Sequence, residues 1–146
     1  MKIRLEKREE LDMEEIVIQC QKPESPMMTA LLKQLEVYEG VFVGYQAGKA
    51  YQLYLRDVFY FECVDEKTFA YLENGVYESM SRLYEWEERL KRTKFVRISK
   101  AMILNTEKLQ SVCPTFSGKL EVVLENGEKQ LINRHYVAMF RKQFGI

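Results

Sequence analysis

The chain has 146 residues, with 47% apolar and 30% charged side chains. That is enough apolar material for one buried core and argues against global disorder. Lys plus Arg is 22 and Asp plus Glu is 22, and a net charge of zero taken as a whole disfavours a polyanion partner. The charge is unevenly spread, however. Residues 1–45 carry net −3, residues 46–90 net −4 and residues 91–146 net +7. Such asymmetry points to a polyanion-facing surface in the last third.

Met1 to Arg8 alternates apolar and charged residues and lacks the apolar run of a secretory signal. No apolar run reaches the ~20 residues of a membrane helix. A cytoplasmic protein is expected. Cys20, Cys63 and Cys113 are odd in number, form no CxxC pair and lie in apolar stretches, which predicts reduced, buried thiols.

In chain order, Lys2–Leu5 and Glu15–Cys20 read as two short strands. Ser25 and Pro26 then suit the cap and first turn of a helix over about residues 26–37, with Met28, Leu31, Leu32 and Leu35 on one face. Gly40, Gly44 and Gly48 punctuate the next stretch, so a boundary is placed near residue 40. Beyond it the pattern is mostly β. Predicted strands include the alternating stretch around Tyr51–Leu55, then Val58–Val64, Thr68–Leu72, Phe95–Ile98, Met102–Leu104, one ending at Pro114, Leu120–Leu124 and Lys129–Ile132. Asp65-Glu66-Lys67 is a turn, and Asn74-Gly75 and Asn126-Gly127 predict type I′ hairpins. A helix beginning near Ser81 turns Leu83, Trp86 and Leu90 to one side. A last helix, capped by Asn133, buries Val137, Phe140 and Phe144 and projects Arg134, His135, Arg141 and Lys142 elsewhere.

The chemistry these residues support is narrow. There is one histidine and no GxSxG, P-loop, HExxH or GxGxxG pattern. The adjacent carboxylates Glu9-Glu10, Glu14-Glu15 and Glu87-Glu88 diverge on a strand or helix and make no acid/base pair. No catalytic set, no cofactor and no metal site is expected. What stands out is the basic set Lys91, Arg92, Lys94, Arg97, Lys100, Lys119, Lys129, Arg134, Arg141 and Lys142. Such residues supply phosphate affinity, and with Asn, Ser and Thr they also reach base edges.

Phe95-Val96-Arg97-Ile98-Ser99-Lys100-Ala101-Met102-Ile103-Leu104-Asn105 resembles the central F-x-R-x-H-(R/N/K)-S-x-(I/L)-V-N motif of the LytTR DNA-binding domain. Asn126 through Tyr136 resembles that family's C-terminal N-G…S-R-R-Y segment, and Asp57–Glu62 its opening D-I-x-Y-(I/F)-E. The resemblance implies an α+β, predominantly β fold of stacked small antiparallel sheets with short helices over residues 41–146, preceded by a small αβ segment over residues 1–40. It implies a sequence-specific transcriptional regulator that reaches successive grooves of double-stranded DNA through loops.

The three loops fall here on Lys67 and Thr68, on Arg97, Ser99 and Lys100, and on Asn133, Arg134 and His135. Lys100 is a point charge suited to phosphate. Only about 40 residues precede the domain, so the chain resembles the standalone members without a receiver domain. A homodimer and a small membrane-protein partner are the corresponding expectations, with residues 1–40 as a packing, dimerisation or partner surface. Ser99, Ala101 and Asn133 replace residues frequent in the family. They leave open a second reading, an interaction module or antagonist of the same fold with weak or no DNA readout.

Overall fold

The computed structural model describes residues 1–12 and 15–146; Glu14, of the adjacent carboxylates, lies outside them. Helix α1 (Pro26–Glu39) starts where the sequence pattern predicts it. The Ser25 hydroxyl accepts from the Met28 N–H at 3.2 Å, which satisfies one of the first-turn donors. Upstream, the two predicted strands do not form among the described residues. An alternating pattern becomes a strand only when a neighbour completes its hydrogen bonds. Here Ile3 and Leu5 are 81% and 95% exposed, and no described strand lies beside them.

A seven-stranded antiparallel sheet is built from β1 (Val41–Gln46), β2 (Lys49–Tyr54), β3 (Val58–Val64), β4 (Lys67–Leu72), β5 (Gly75–Ser79), β6 (Phe95–Ser99) and β7 (Met102–Asn105). Its order is β2-β1-β5-β4-β3-β7-β6. A second, three-stranded sheet has the order β10-β9-β8, from β8 (Leu109–Pro114), β9 (Leu120–Leu124) and β10 (Lys129–Ile132). Helices α2 (Leu83–Arg89) and α3 (Arg134–Phe144) complete the fold. Strand β1 lies in the stretch that the glycines had marked only as a boundary. Gly44 is required there: a Cβ would meet Leu53 Cδ1 at 2.6 Å and Tyr77 Cβ at 2.8 Å.

The turns correct the expectation about Asn-Gly. Positive φ at both central residues, the I′ pattern, occurs at Ala47-Gly48 and at Asp65-Glu66. Between β4 and β5 the residues joining the paired Leu72 and Gly75 are Glu73 and Asn74, and neither has positive φ. After β9 the Gly127 N–H donates to the Leu124 carbonyl, and only Gly127 is left-handed. This is a three-residue loop with a glycine bulge.

Alternation along the strands builds a core on each face of the larger sheet. On one face Phe61, Ala70, Tyr77 and Ile103 pack with Leu83, Trp86 and Leu90 around α2. The Trp86 ring stacks on Phe61 with centroids 4.4 Å apart, and its buried indole N–H donates to Ser79 Oγ at 2.8 Å. On the other face Tyr60, Val96, Ile98 and Leu104 pack with Leu120, Val122, Leu124, Ile132 and Phe140. Strand β3 is covered on both sides over Val58–Phe61, which is why its sequence there is continuously apolar. The cysteines depart from expectation: Cys20 and Cys113 are exposed and Cys63 is half-buried. Cys113 sits on β8, an edge strand of the smaller sheet, and Cys20 on the irregular segment before α1.

Candidate nucleic-acid interface

Three loops that are far apart in sequence meet at one end of the sheets, and backbone hydrogen bonds join them. Antiparallel pairing of β3 with β7 sets Glu62 opposite Met102, so the end of β3 lies beside the β6–β7 turn. The Cys63 N–H donates to the Ala101 carbonyl at 2.8 Å, inside that turn. On the other side, β6 is the edge strand and bulges between Arg97 and Ser99. The carbonyl of Ile98, within the bulge, accepts from the Asn133 N–H at 2.9 Å. The start of α3 is thereby fastened to the turn that carries Lys100.

Lys67 opens β4 just after the Asp65-Glu66 turn and is exposed. Thr68 does not share its surface. It is 4% exposed and pairs with Cys63 and Ser79, on the sheet face that also holds Phe61 and Ala70. The period-two alternation of a strand puts adjacent residues on opposite faces, so with Lys67 outward Thr68 must be inward. The structure thus places Thr68 inward rather than on the open surface expected for it, and the exposed groups of this loop are Asp65, Glu66 and Lys67.

Arg97 is also not an open cation. Its side chain is 16% exposed and forms an ion pair with Glu87 of α2. Its Nε donates to the Ser99 carbonyl at 2.6 Å, and a terminal nitrogen donates to the Lys100 carbonyl. The planar guanidinium thus ties α2 to the turn through three acceptors, a geometry available to Arg and not to Lys. The half-buried Ser99 accepts from the Ala101 N–H at 3.2 Å, which fastens the turn from within. Lys100, at the tip, is exposed.

Asn133 occupies the cap position of α3 with extended backbone, as expected, but its side chain makes no capping bond and stands exposed. Arg134 and His135 are exposed in the first turn, where backbone N–H groups are unpaired by the helix. Phe140 is the fully buried anchor of α3; Val137 and Tyr136 are half-buried, and Phe144 is 39% exposed rather than part of the core. Arg141 and Lys142 are exposed two turns further on, about 10 Å along the axis from Arg134.

Among the described residues, Lys67, Lys100 and Arg134 form no ion pair. The α2 carboxylates Glu87 and Glu88 instead hold Arg97 and Lys91. Behind the loops the Tyr60 hydroxyl donates to Glu128 at 2.8 Å. Burial, and then the charge of Glu128, holds the Glu62 carboxyl above its ordinary value. Burial similarly raises Tyr60 and Tyr71. No group of three or more His, Cys, Asp or Glu is placed to hold a metal ion among the described residues.

The fold and this end of it define a class: a β-sheet domain that displays loops and one helix start, with cations exposed on them. Residues 48–145 match the family model of the LytTr DNA-binding domain, and the chain belongs to that family. It is 32% identical over 88 residues to the sensory transduction protein LytT of Enterococcus faecalis, covering 60% of this chain and 36% of that protein. It is 33% identical over 73 residues to the transcriptional regulatory protein LytR of Staphylococcus aureus, covering 50% of this chain and 30% of that one. The matches therefore span about a third of the length of these curated relatives. A solved LytTr DNA-binding domain from Bacillus cereus shares the fold, with a TM-score of 0.69 and 23% identity over 73% of this chain and 98% of that one.

Proposed function

We propose that this chain is a sequence-specific DNA-binding transcriptional regulator that meets successive grooves through its loops. One observation carries the reading: Lys67, Lys100 and Arg134–His135, each exposed, stand on three loops that backbone hydrogen bonds join at one end of the fold. Lys100 and Arg134 supply phosphate contacts, and Asn133, Arg134 and His135 offer donors to base edges. Arg97 and Ser99 act as positioning residues that hold the turn under Lys100, and the first loop works through the exposed Lys67, with the buried Thr68 behind it.

The proposal extends to the surroundings of the site. Residues 1–40 serve as a packing, dimerisation or partner surface, a role that the exposed Ile3, Leu5, Ile16 and Val17 support. A homodimer on a repeated half-site, a small membrane-protein partner and a cytoplasmic location belong to the same reading. No described helix is long and apolar enough to cross a membrane.

The test is selection of duplex DNA from a random pool with the full chain, followed by a salt titration on the recovered duplex. With Lys67 as the third phosphate contact beside Lys100 and Arg134, each bound protomer contributes a slope of about −2.7 in log affinity against log salt, at about −0.9 per contact. Recovery of no preferred sequence overturns the reading. It would favour the interaction module instead, which the burial of Thr68 and the pairing of Arg97 support by leaving fewer open contacts.

A further inference from the structure

A fourth loop lies at the same end of the fold. Strands β8 and β9 pair from Leu109↔Leu124 to Pro114↔Leu120, so their hairpin tip, Thr115 to Lys119, extends beyond the Pro114–Leu120 end. Leu120 also pairs with Ile132, the residue before Asn133. The tip is thus set beside the start of α3. Contact is close: a Cβ on Gly118, which has φ +78°, would meet Arg134 Cδ at 3.0 Å and Cγ at 3.5 Å. The aliphatic stem of Arg134 lies against the tip, and glycine is what leaves it room.

The tip is held in shape. The Thr115 N–H and hydroxyl both donate to the Lys119 carbonyl, at 2.9 and 3.0 Å, and the Thr115 and Ser117 hydroxyls are 3.1 Å apart. At its apex Phe116 is fully exposed. One exposed apolar side chain is ordinary on a protein surface. This one differs in position: a whole phenyl ring on a braced turn, two residues from the Gly118 that lies against Arg134, with small polar neighbours and Lys119. Aromatic and other apolar side chains among cations are what DNA-binding surfaces use against thymine methyls and between partly unstacked base steps.

We infer that the β8–β9 tip is a fourth DNA-contacting element, in which Phe116 packs against an apolar part of the duplex next to the site of Arg134. The inference rests on the proposed DNA-binding function. The apolar part is a thymine methyl or a deoxyribose face, and the two are separable. Because the contact is apolar, it adds affinity without releasing counterions, so it leaves the salt slope unchanged.

The experiment measures binding of the full chain and of Phe116→Ala to the duplex recovered by selection, across a salt series. The expected result is a loss of about fivefold or more with an unchanged slope and an unchanged melting temperature. Substituting deoxyuridine for thymidine then locates the contact. If it weakens the wild-type chain and not Phe116→Ala, the methyl is the partner; if it weakens both equally or neither, the sugar is. Binding of Phe116→Ala within about twofold of wild type overturns the inference while leaving DNA binding intact. So does a loss that comes with a changed oligomeric state in sedimentation, since Phe116 would then be a protein contact. A wild-type chain that recovers no duplex overturns the underlying reading, and this one with it.

Discussion

The backbone N–H of Cys63 donates to the carbonyl of Ala101 at 2.8 Å, across 38 positions of sequence. That one bond puts the end of the β3–β4 hairpin against the turn that carries Lys100. With the Asn133–Ile98 bond at 2.9 Å, it makes one surface of three loops. An exposed cation on such a surface and a cation occupied in holding it should behave differently when removed.

Lys100→Ala and Arg134→Ala should each lower DNA affinity and make the salt slope shallower by about 1, because each removes a phosphate contact. Fluorescence anisotropy over a salt series reads both quantities. A slope unchanged in either variant takes that residue off the phosphates.

Arg97→Lys should separate position from charge. The charge survives, but an ammonium cannot span Glu87, the Ser99 carbonyl and the Lys100 carbonyl together. Affinity should fall about threefold or more with the salt slope unchanged. Hydrogen exchange of the Ala101 N–H, now bonded to Ser99 Oγ, should quicken. A slope that changes as it does for Lys100→Ala would make Arg97 a direct contact.

Asn105→Leu should destabilise the fold by about 2–3 kcal/mol. Asn105 is 1% exposed; its amide donates to the Val58 carbonyl at 2.8 Å and accepts from the Glu107 N–H at 3.0 Å. Leucine matches its size roughly and neither of its bonds. Urea unfolding gives the difference, and a loss below about 0.5 kcal/mol would mean that these groups find other partners.

Glu62 sets a pH dependence whose sign comes from its raised carboxyl. Ionising it costs more in the folded chain than in the unfolded one. Its contribution is therefore most favourable below the ordinary glutamate value and declines as pH rises through that value toward the raised one. Glu62→Gln should raise the melting temperature at neutral pH, and the gain should vanish on acidification through that window. A gain that persists at low pH would point to packing instead of charge.

Gly118→Ala should cost about 1 kcal/mol or more in stability, since φ +78° disfavours an L side chain, and should weaken DNA binding by moving Arg134. Melting and anisotropy on the same sample measure both. Unaltered binding would separate the tip from Arg134.

Much of the fold is legible because local pattern and tertiary outcome agree. Val58–Val64 is bounded as predicted, and the α2 stripe of Leu83, Trp86 and Leu90 is buried as its spacing requires. Where they part, the missing information is a partner. Among the described residues the alternation at Lys2–Leu5 has no neighbouring strand, and Asn-Gly marks hairpins without setting their turn type. At the site, residue type alone could not tell that the Arg97 guanidinium is occupied or that Thr68 faces inward.

The sequence by itself determined the family, through motifs at residues 57–62, 95–105 and 126–136, and it divided a net charge of zero into acidic and basic regions. Only the tertiary structure decided which cations of the basic third are open. Two of them, Lys91 and Arg97, are paired with Glu88 and Glu87 of the acidic part, while Lys67 of the acidic part joins Lys100 and Arg134 at one end. The physical reason is that strand pairing and side-chain alternation, not position along the chain, set which charges neighbour one another and which face water.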